Sequence, residues 1–138
     1  MSLHNRGDMT AYAEQFARED IFMQQARNNG LEMGVADPSP AVGALLQYTA
    51  TLTSAKSVVE IGTSSGVSGL WLFQGMSKDS VLTSIDTERE YSASARESFE
   101  EAGIAPARYR LITGTVLEVV GKLADGNYDL VEIGRAHV

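Results

Sequence analysis

The spacing of apolar residues changes several times along the chain, and each change marks an element. Between residues 8 and 28, Tyr12, Phe16 and Met23 fall broadly on one side of a helical wheel, with Glu14, Arg18, Glu19 and Gln25 elsewhere. This predicts a single amphipathic helix, with Asn28-Asn29-Gly30 as its stop. Its aromatic and methionine stripe is read as helix packing rather than as a substrate contact. Pro38-Ser39-Pro40 predicts the start of a second helix, because Ser39 can cap it and Pro40 suits the first helical position. Val42, Leu45, Leu46, Thr49 and Leu52 follow at helical spacing.

At Val58, Val59 and Ile61 the pattern becomes a short β-branched run, which suits a buried parallel strand. After Gly66, residues Val67, Leu70, Trp71, Leu72, Phe73 and Met76 make a helix apolar most of the way round, so it belongs in the interior, with Trp71 as core. Residues 80–85 read as a second strand ending at Asp86, and Thr87 and Glu90 have capping-box spacing for the next helix. Tyr91, Ala95 and Phe99 mark that helix's buried side, and Gly103 stops it. Residues 109–113 form a third strand, Thr115 and Glu118 a second capping box, Asp125-Gly126 a turn, and Tyr128 to Val131 open a fourth strand. Strands alternating with helices imply right-handed βαβ units. The predicted class is α/β, Rossmann-like, with two leading helices and a parallel sheet of about four strands.

Composition narrows the function classes. At 138 residues there is room for one domain and one core. Cysteine is absent, which removes disulfides and thiolate metal sites. No apolar run approaches the length of a membrane span, and the first residues lack a signal-peptide core. A cytoplasmic protein with no membrane partner is expected. Net charge is −7 and the basic residues are scattered, which argues against nucleic acid.

Candidate chemistry gathers at the strand-to-helix turn. Gly62 is followed by Thr63, Ser64 and Ser65 before Gly66, so the turn reads Glu-x-Gly-x-x-x-Gly from Glu60 and not the dinucleotide fingerprint. Glycine lets a ligand approach the backbone, and the helix beyond presents free N–H groups and a positive dipole end to an anionic group. Asp86 ends the second strand a little over twenty residues past the first glycine, placed to accept both ribose hydroxyls of an adenosine.

That spacing resembles the first motif of S-adenosylmethionine (SAM)-dependent methyltransferases. From Ser39 to Val131 the order of blocks is similar to the cation-dependent, catechol- and caffeoyl-CoA-type O-methyltransferases in their smaller bacterial form: Ser39 to Leu46, Val58 to Trp71, Leu82 to Asp86 and Ala105 to Val131. The resemblance implies SAM as cofactor, with Glu60, Gly62, Thr63 and Ser68 on its methionine side, Asp86 on the ribose and Thr87 near the adenine. It implies Val116 beside the adenine, and it puts Pro38 just ahead of Ser39, where the family often has an aliphatic cofactor contact. It further implies a small hydroxylated, catechol-like acceptor, a divalent cation such as Mg²⁺ in the intact protein, and a possible homodimer through the leading helices.

The resemblance stops after Val131. The family has a metal-binding Asp in a Phe-Ile-Asp-Ala-Asp-Lys-like run, whereas here Gly134 stands at the ligand position, and the expectation is that this chain has no metal site and no catalytic residue of its own. Back-translated, residues 132–138 match a widely used sequencing-library adapter in all but the first base. The expected organisation is therefore residues 1–131 as the N-terminal portion of a methyltransferase domain and 132–138 as a non-native tail, with the chain as given poorly stable and inactive. Two alternatives stand beside this reading. One is an NAD(P)-dependent oxidoreductase, which shares the turn and the ribose acid. The other is a non-catalytic nucleoside-binding or dimerisation module, favoured if the short terminus is genuine.

Overall fold

The computed structural model describes residues 6–134. Eleven elements follow in order: α1 (Arg6–Phe16), α2 (Ile21–Glu32), α3 (Pro40–Leu52), β1 (Ser57–Ile61), α4 (Val67–Gly75), β2 (Val81–Asp86), α5 (Arg89–Glu101), a 3₁₀ turn (Pro106–Arg108), β3 (Tyr109–Thr113), α6 (Val116–Val120) and β4 (Leu130–Ile133). The strands form one parallel sheet in the order β3-β2-β1-β4. The chain builds outward from β1 to β3 and then returns to the other side of β1. A crevice between β1 and β4 is the consequence, because the connections leave that point in opposite directions.

Alternation along the strands sorts the core into two layers. Val58, Leu82, Tyr109 and Leu130 face a large cluster built with Met23 and Ala26 of α2, Ala50 of α3, most of α4, and Ala95 and Phe99 of α5. Val59, Ile61, Ile85 and Ile112 face the opposite side, where Val116 and Val119 of α6, Leu123 and Tyr128 cover them. As its composition predicts, α4 is buried from Val67 through Phe73. It approaches its neighbours closely because glycines replace side chains at the contacts. A Cβ on Gly69 would lie 2.6 Å from the Phe99 ring, and one on Gly43 of α3 would collide with the Trp71 indole.

Several local expectations are corrected. The first helix is two, so three helices lead the sheet: the chain breaks at Ala17–Glu19, and Asp20 caps α2 by accepting the N–H of Met23 at 2.8 Å. A side-chain acceptor ahead of an unpaired first-turn amide starts a new helix wherever the preceding turn need not be helical. Gly30 does not stop α2 but lies inside it; Gly34, at φ +72°, follows its end, and Val35 N–H returns to Gly30 O at 2.8 Å. Tyr12 and Phe16 are exposed and pack on one another with ring centroids 5.0 Å apart, rather than entering the core. On α3 the stripe of Val42, Leu45 and Leu52 faces outward, and Gly43 and Ala50 make the buried contact. The pairing with α4 selects small residues, so burial there follows closeness of approach and not hydrophobicity.

Ser39 caps α3 with Pro40 in its first turn, as read from the sequence. Neither capping box forms: α5 follows Glu88 and α6 follows Thr115, both without a side-chain cap. At α5 the carboxylate of Asp86 takes the Glu88 N–H instead, at 3.1 Å. The fourth strand is Leu130–Ile133, so Glu132 and Ile133 continue the sheet, opposite Glu60 and Ile61. Among the described residues, no helix is long and apolar enough to cross a membrane.

Candidate functional site

A cavity of about 420 Å³ opens at the carboxyl ends of β1, β2 and β4, at the point where the strand order reverses. Gly62, Ser64 and Ser68 line it from the β1–α4 turn and α4, Asp86 and Tyr91 from the β2–α5 side, Glu132 to Gly134 from β4, and Gly34, Val35, Ala36, Pro38 and Val42 from the leading region. Gly62 and Gly66 have φ of +98° and +96°, and Ser64 between them is also left-handed at +54°. This turn requires glycine at its ends because an L side chain rarely adopts that backbone. Gly66 precedes α4 without a side-chain cap, so first-turn amides of a nine-residue helix remain available at the cavity wall near Ser68.

Asp86 lies at the rim of the cavity, with each carboxylate oxygen held by a backbone amide: Oδ2 accepts Ser64 N–H at 3.1 Å and Oδ1 accepts Glu88 N–H at 3.1 Å. Each oxygen keeps a second lone pair, so the carboxylate can still take two hydroxyl donors from a vicinal diol.

Glu60 is fully buried and stands one layer behind the wall. Ser68 donates to its Oε2 at 2.5 Å and Ser84 donates to its Oε1 at 2.6 Å. Thr63 Oγ1 lies 2.7 Å from Ser84 Oγ and is left to donate to it, because the Ser84 proton is already given to Glu60. Burial pushes the Glu60 carboxyl up to about 8, helped by Glu132 beside it and opposed by the two serine hydroxyls. Burial also raises Glu132 to about 7, and its Oε2 is buried with no hydrogen-bond partner.

Of the residues expected at the site, Gly62, Ser68 and Asp86 line the cavity. Glu60 and Thr63 support it from behind through Ser68 and Ser84, and Thr87 lies outside the lining. Pro38 lines the cavity, but Val116 does not; it packs against the apolar cluster on the far face of the sheet. Asp37 and Glu132 escaped the sequence reading as site residues, and Tyr91, read as part of the buried side of α5, is half-buried and lines the cavity. Nothing in the spacing around Asp37 marks it, and Glu132 falls in the stretch assigned to a foreign tail.

The described residues do not fit a divalent cation. Among the described residues no group of three or more His, Cys, Asp or Glu could hold a metal, and Gly134 at the expected ligand position offers only backbone, its N–H bound to Ile61 O at 2.8 Å. A nucleoside with an amino-acid or other anionic arm does fit, since glycine backbone, helix amides and a rim carboxylate converge on one cavity.

Comparison with known proteins gives the family. The sequence profile described as O-methyltransferase matches residues 8–135. The chain belongs to the O-methyltransferase family. A curated relative from Mycobacterium sp. (strain KMS), itself assigned to the O-methyltransferases, is 52% identical over 125 residues, which are 91% of this chain and 57% of the relative. A relative from Mycobacteroides abscessus is 49% identical over 128 residues, 93% of this chain and 60% of its own. Among solved structures, a Corynebacterium glutamicum protein superposes with a TM-score of 0.82 at 30% identity, over 89% of this chain and 58% of that one. The O-methyltransferase TomG of Streptomyces achromogenes, solved in complex with SAM, superposes with a TM-score of 0.80 at 27% identity, over 91% and 58%. The chain thus spans a little over half the length of the relatives it matches. The sheet and helices are those of the Rossmann-like SAM-methyltransferase fold. The nicotinamide-dependent alternative finds no support in these matches.

Proposed function

We propose that this chain is the cofactor-binding portion of a SAM-dependent O-methyltransferase acting in the cytoplasm on a small hydroxylated, catechol-like acceptor. The observation that carries the reading is Asp86, a rim carboxylate at the end of β2 preset by two backbone amides and lining the cavity. In this reading Asp86 accepts the two ribose hydroxyls. The left-handed Gly62 turn brings backbone close to the methionine arm, and Ser68 with the first-turn amides of α4 holds that arm's carboxylate. Glu60 and Thr63 act one layer back by fixing the Ser68 and Ser84 hydroxyls. Thr87 borders the adenine from outside the cavity wall. Bound SAM would supply an electrophilic methyl group on a sulfonium, and this chain's share of catalysis is to fix its position, since orientation alone can lower a barrier by several kcal/mol.

We further infer that the acceptor-binding groups and any divalent cation belong to the part of the relatives that this chain does not cover, and that residues 132–138 are foreign to the natural protein. The buried Glu132 Oε2 without a partner beside Glu60 supports the second inference, because such a pair is costly to fold; the family match to residue 135 and the pairing of Glu132 and Ile133 with β1 run a few residues past the expected limit at Val131. A homodimer through the exposed apolar residues of α1 and α3 belongs to the same reading. Titration calorimetry of the 138-residue chain with S-adenosylhomocysteine (SAH) tests the cofactor assignment. Saturable binding that is weakened at least tenfold by Asp86→Ala, with no binding of NAD, is expected. An absence of SAH binding, or equal affinity in the variant, refutes it. Resequencing the source locus past the codon for Val131 tests the tail.

A further inference from the structure

Gly34 to Pro38, a segment that lines the cavity, is held to the glycine turn by one side chain. Asp37 Oδ1 accepts the Ser64 hydroxyl at 2.8 Å, and Oδ2 accepts the Ser65 hydroxyl at 2.6 Å. Ser64 is bound twice, since its N–H goes to Asp86 while its hydroxyl goes to Asp37. One left-handed residue therefore couples the rim carboxylate to that segment. Further polar bonds tie the leading elements to one another, while Met23, Ala26 and Ala50 pack them on the core. Glu14 accepts Ala41 N–H at 2.8 Å, and Arg27 bridges Glu19 and the Pro38 carbonyl. α1 has no buried residue, and α2 contributes only Met23, Ala26 and Gly30 to the interior.

The glycine inside α2 now has a reason. A Cβ on Gly30 would collide with Asp37 Oδ2 and stand 2.9 Å from Ser65 Oγ. Glycine in mid-helix costs about 1 kcal/mol relative to alanine, and here it leaves the room the carboxylate needs to reach both serines.

We propose that the 34–38 segment is a strap over the cofactor cavity, and that Asp37 is the positioning residue that latches it to the glycine turn and so governs the rate at which cofactor leaves. Asp37 acts through Ser64 and Ser65, not by touching the ligand. The inference rests on the cofactor reading above for its ligand, but the latch can be read without one. Its contacts are charge-assisted, and losing one or two of them should accelerate release by roughly tenfold or more.

The experiment is stopped-flow dissociation of SAH from the wild-type chain, Asp37→Ala, Asp37→Asn, Gly30→Ala and the Ser64→Ala/Ser65→Ala double variant, beside amide exchange of the ligand-free proteins. Faster SAH release is expected in Asp37→Ala and in the double variant, with no further acceleration when the two are combined. Asp37→Asn, which keeps one acceptor, should restore part of the wild-type rate. Gly30→Ala should also speed release, although alanine favours the helix. In ligand-free protein the Val35 amide should exchange faster in Asp37→Ala while the β1 amides keep their protection, which separates an open latch from a failed fold. If the wild type binds SAH and these variants release it at the wild-type rate, the strap is wrong and the cofactor reading stands. If the wild type binds no SAH, the cofactor reading is wrong, and unchanged Val35 exchange in Asp37→Ala would overturn the latch as well.

Discussion

Replacing Glu132 by Gln tests whether charge limits the stability of the β4 side of the cavity. Glu132 lies opposite Glu60 in the β1–β4 register, and residues paired across strands leave the same face of the sheet. Glu132 has a buried oxygen without a partner, and the two carboxyls are raised from the ordinary 4.5 to about 7 and about 8. Both folded values lie above the unfolded ones. Between about pH 4.5 and about pH 8 the native state therefore holds protons that the unfolded chain has released, and stability falls as pH rises through that window. Gln cannot ionise, which removes one of the two contributions and eases the other by taking away Glu132's repulsion of Glu60. An unsatisfied buried polar group costs roughly 1–3 kcal/mol, and more when charged. The variant should gain about 1–3 kcal/mol near pH 8 and little near pH 5, a difference of several degrees in Tm for a domain of this size. Thermal melts of both proteins across that pH range read it directly. A Tm difference that is the same at both ends, or a variant less stable at the alkaline end, refutes the reasoning.

Three further outcomes follow from the packing and the site. Phe99→Ala empties a fully buried position where the ring meets Phe73 edge-on at 5.2 Å and Tyr109 at the same distance; a loss of about 3–5 kcal/mol is expected in denaturant unfolding. Gly75→Ala drives a Cβ into the Gln47 backbone carbonyl where α4 crosses α3, so it should destabilise by about 1–3 kcal/mol in the same assay despite alanine's better helix propensity. Asp86→Asn keeps an acceptor at the rim but loses the charge; SAH affinity measured by calorimetry should fall roughly tenfold, less than in Asp86→Ala.

The contrast between what could be read in advance and what could not is clearest at four places. Val58 to Gly66 announced its strand and turn because β-branched residues and spaced glycines constrain the backbone locally, whatever lies around them. Asp86 was legible for the same reason: its place is set by where a strand ends. The leading helices were less legible. The break at Ala17–Glu19 and the outward face of α3 depend on which partner each helix meets, and a stripe of apolar residues does not name its partner. Both capping boxes had the right letters, yet α5 starts after Glu88 rather than Thr87, and Asp86 at the strand end takes the Glu88 N–H.

By itself, then, the sequence determined the α/β class, the strand-turn-helix at Gly62, the rim acid Asp86 and the buried character of α4. These are properties of neighbouring residues, carried by local backbone preference and periodicity. Tertiary structure alone decided that Glu60 works from behind Ser68, that Glu132 is set beside it, and that Gly30 makes room for Asp37 to hold two serines 27 and 28 positions further along the chain. Those relations join residues far apart in sequence, and only the register of the sheet and the close approach of the helices bring them together.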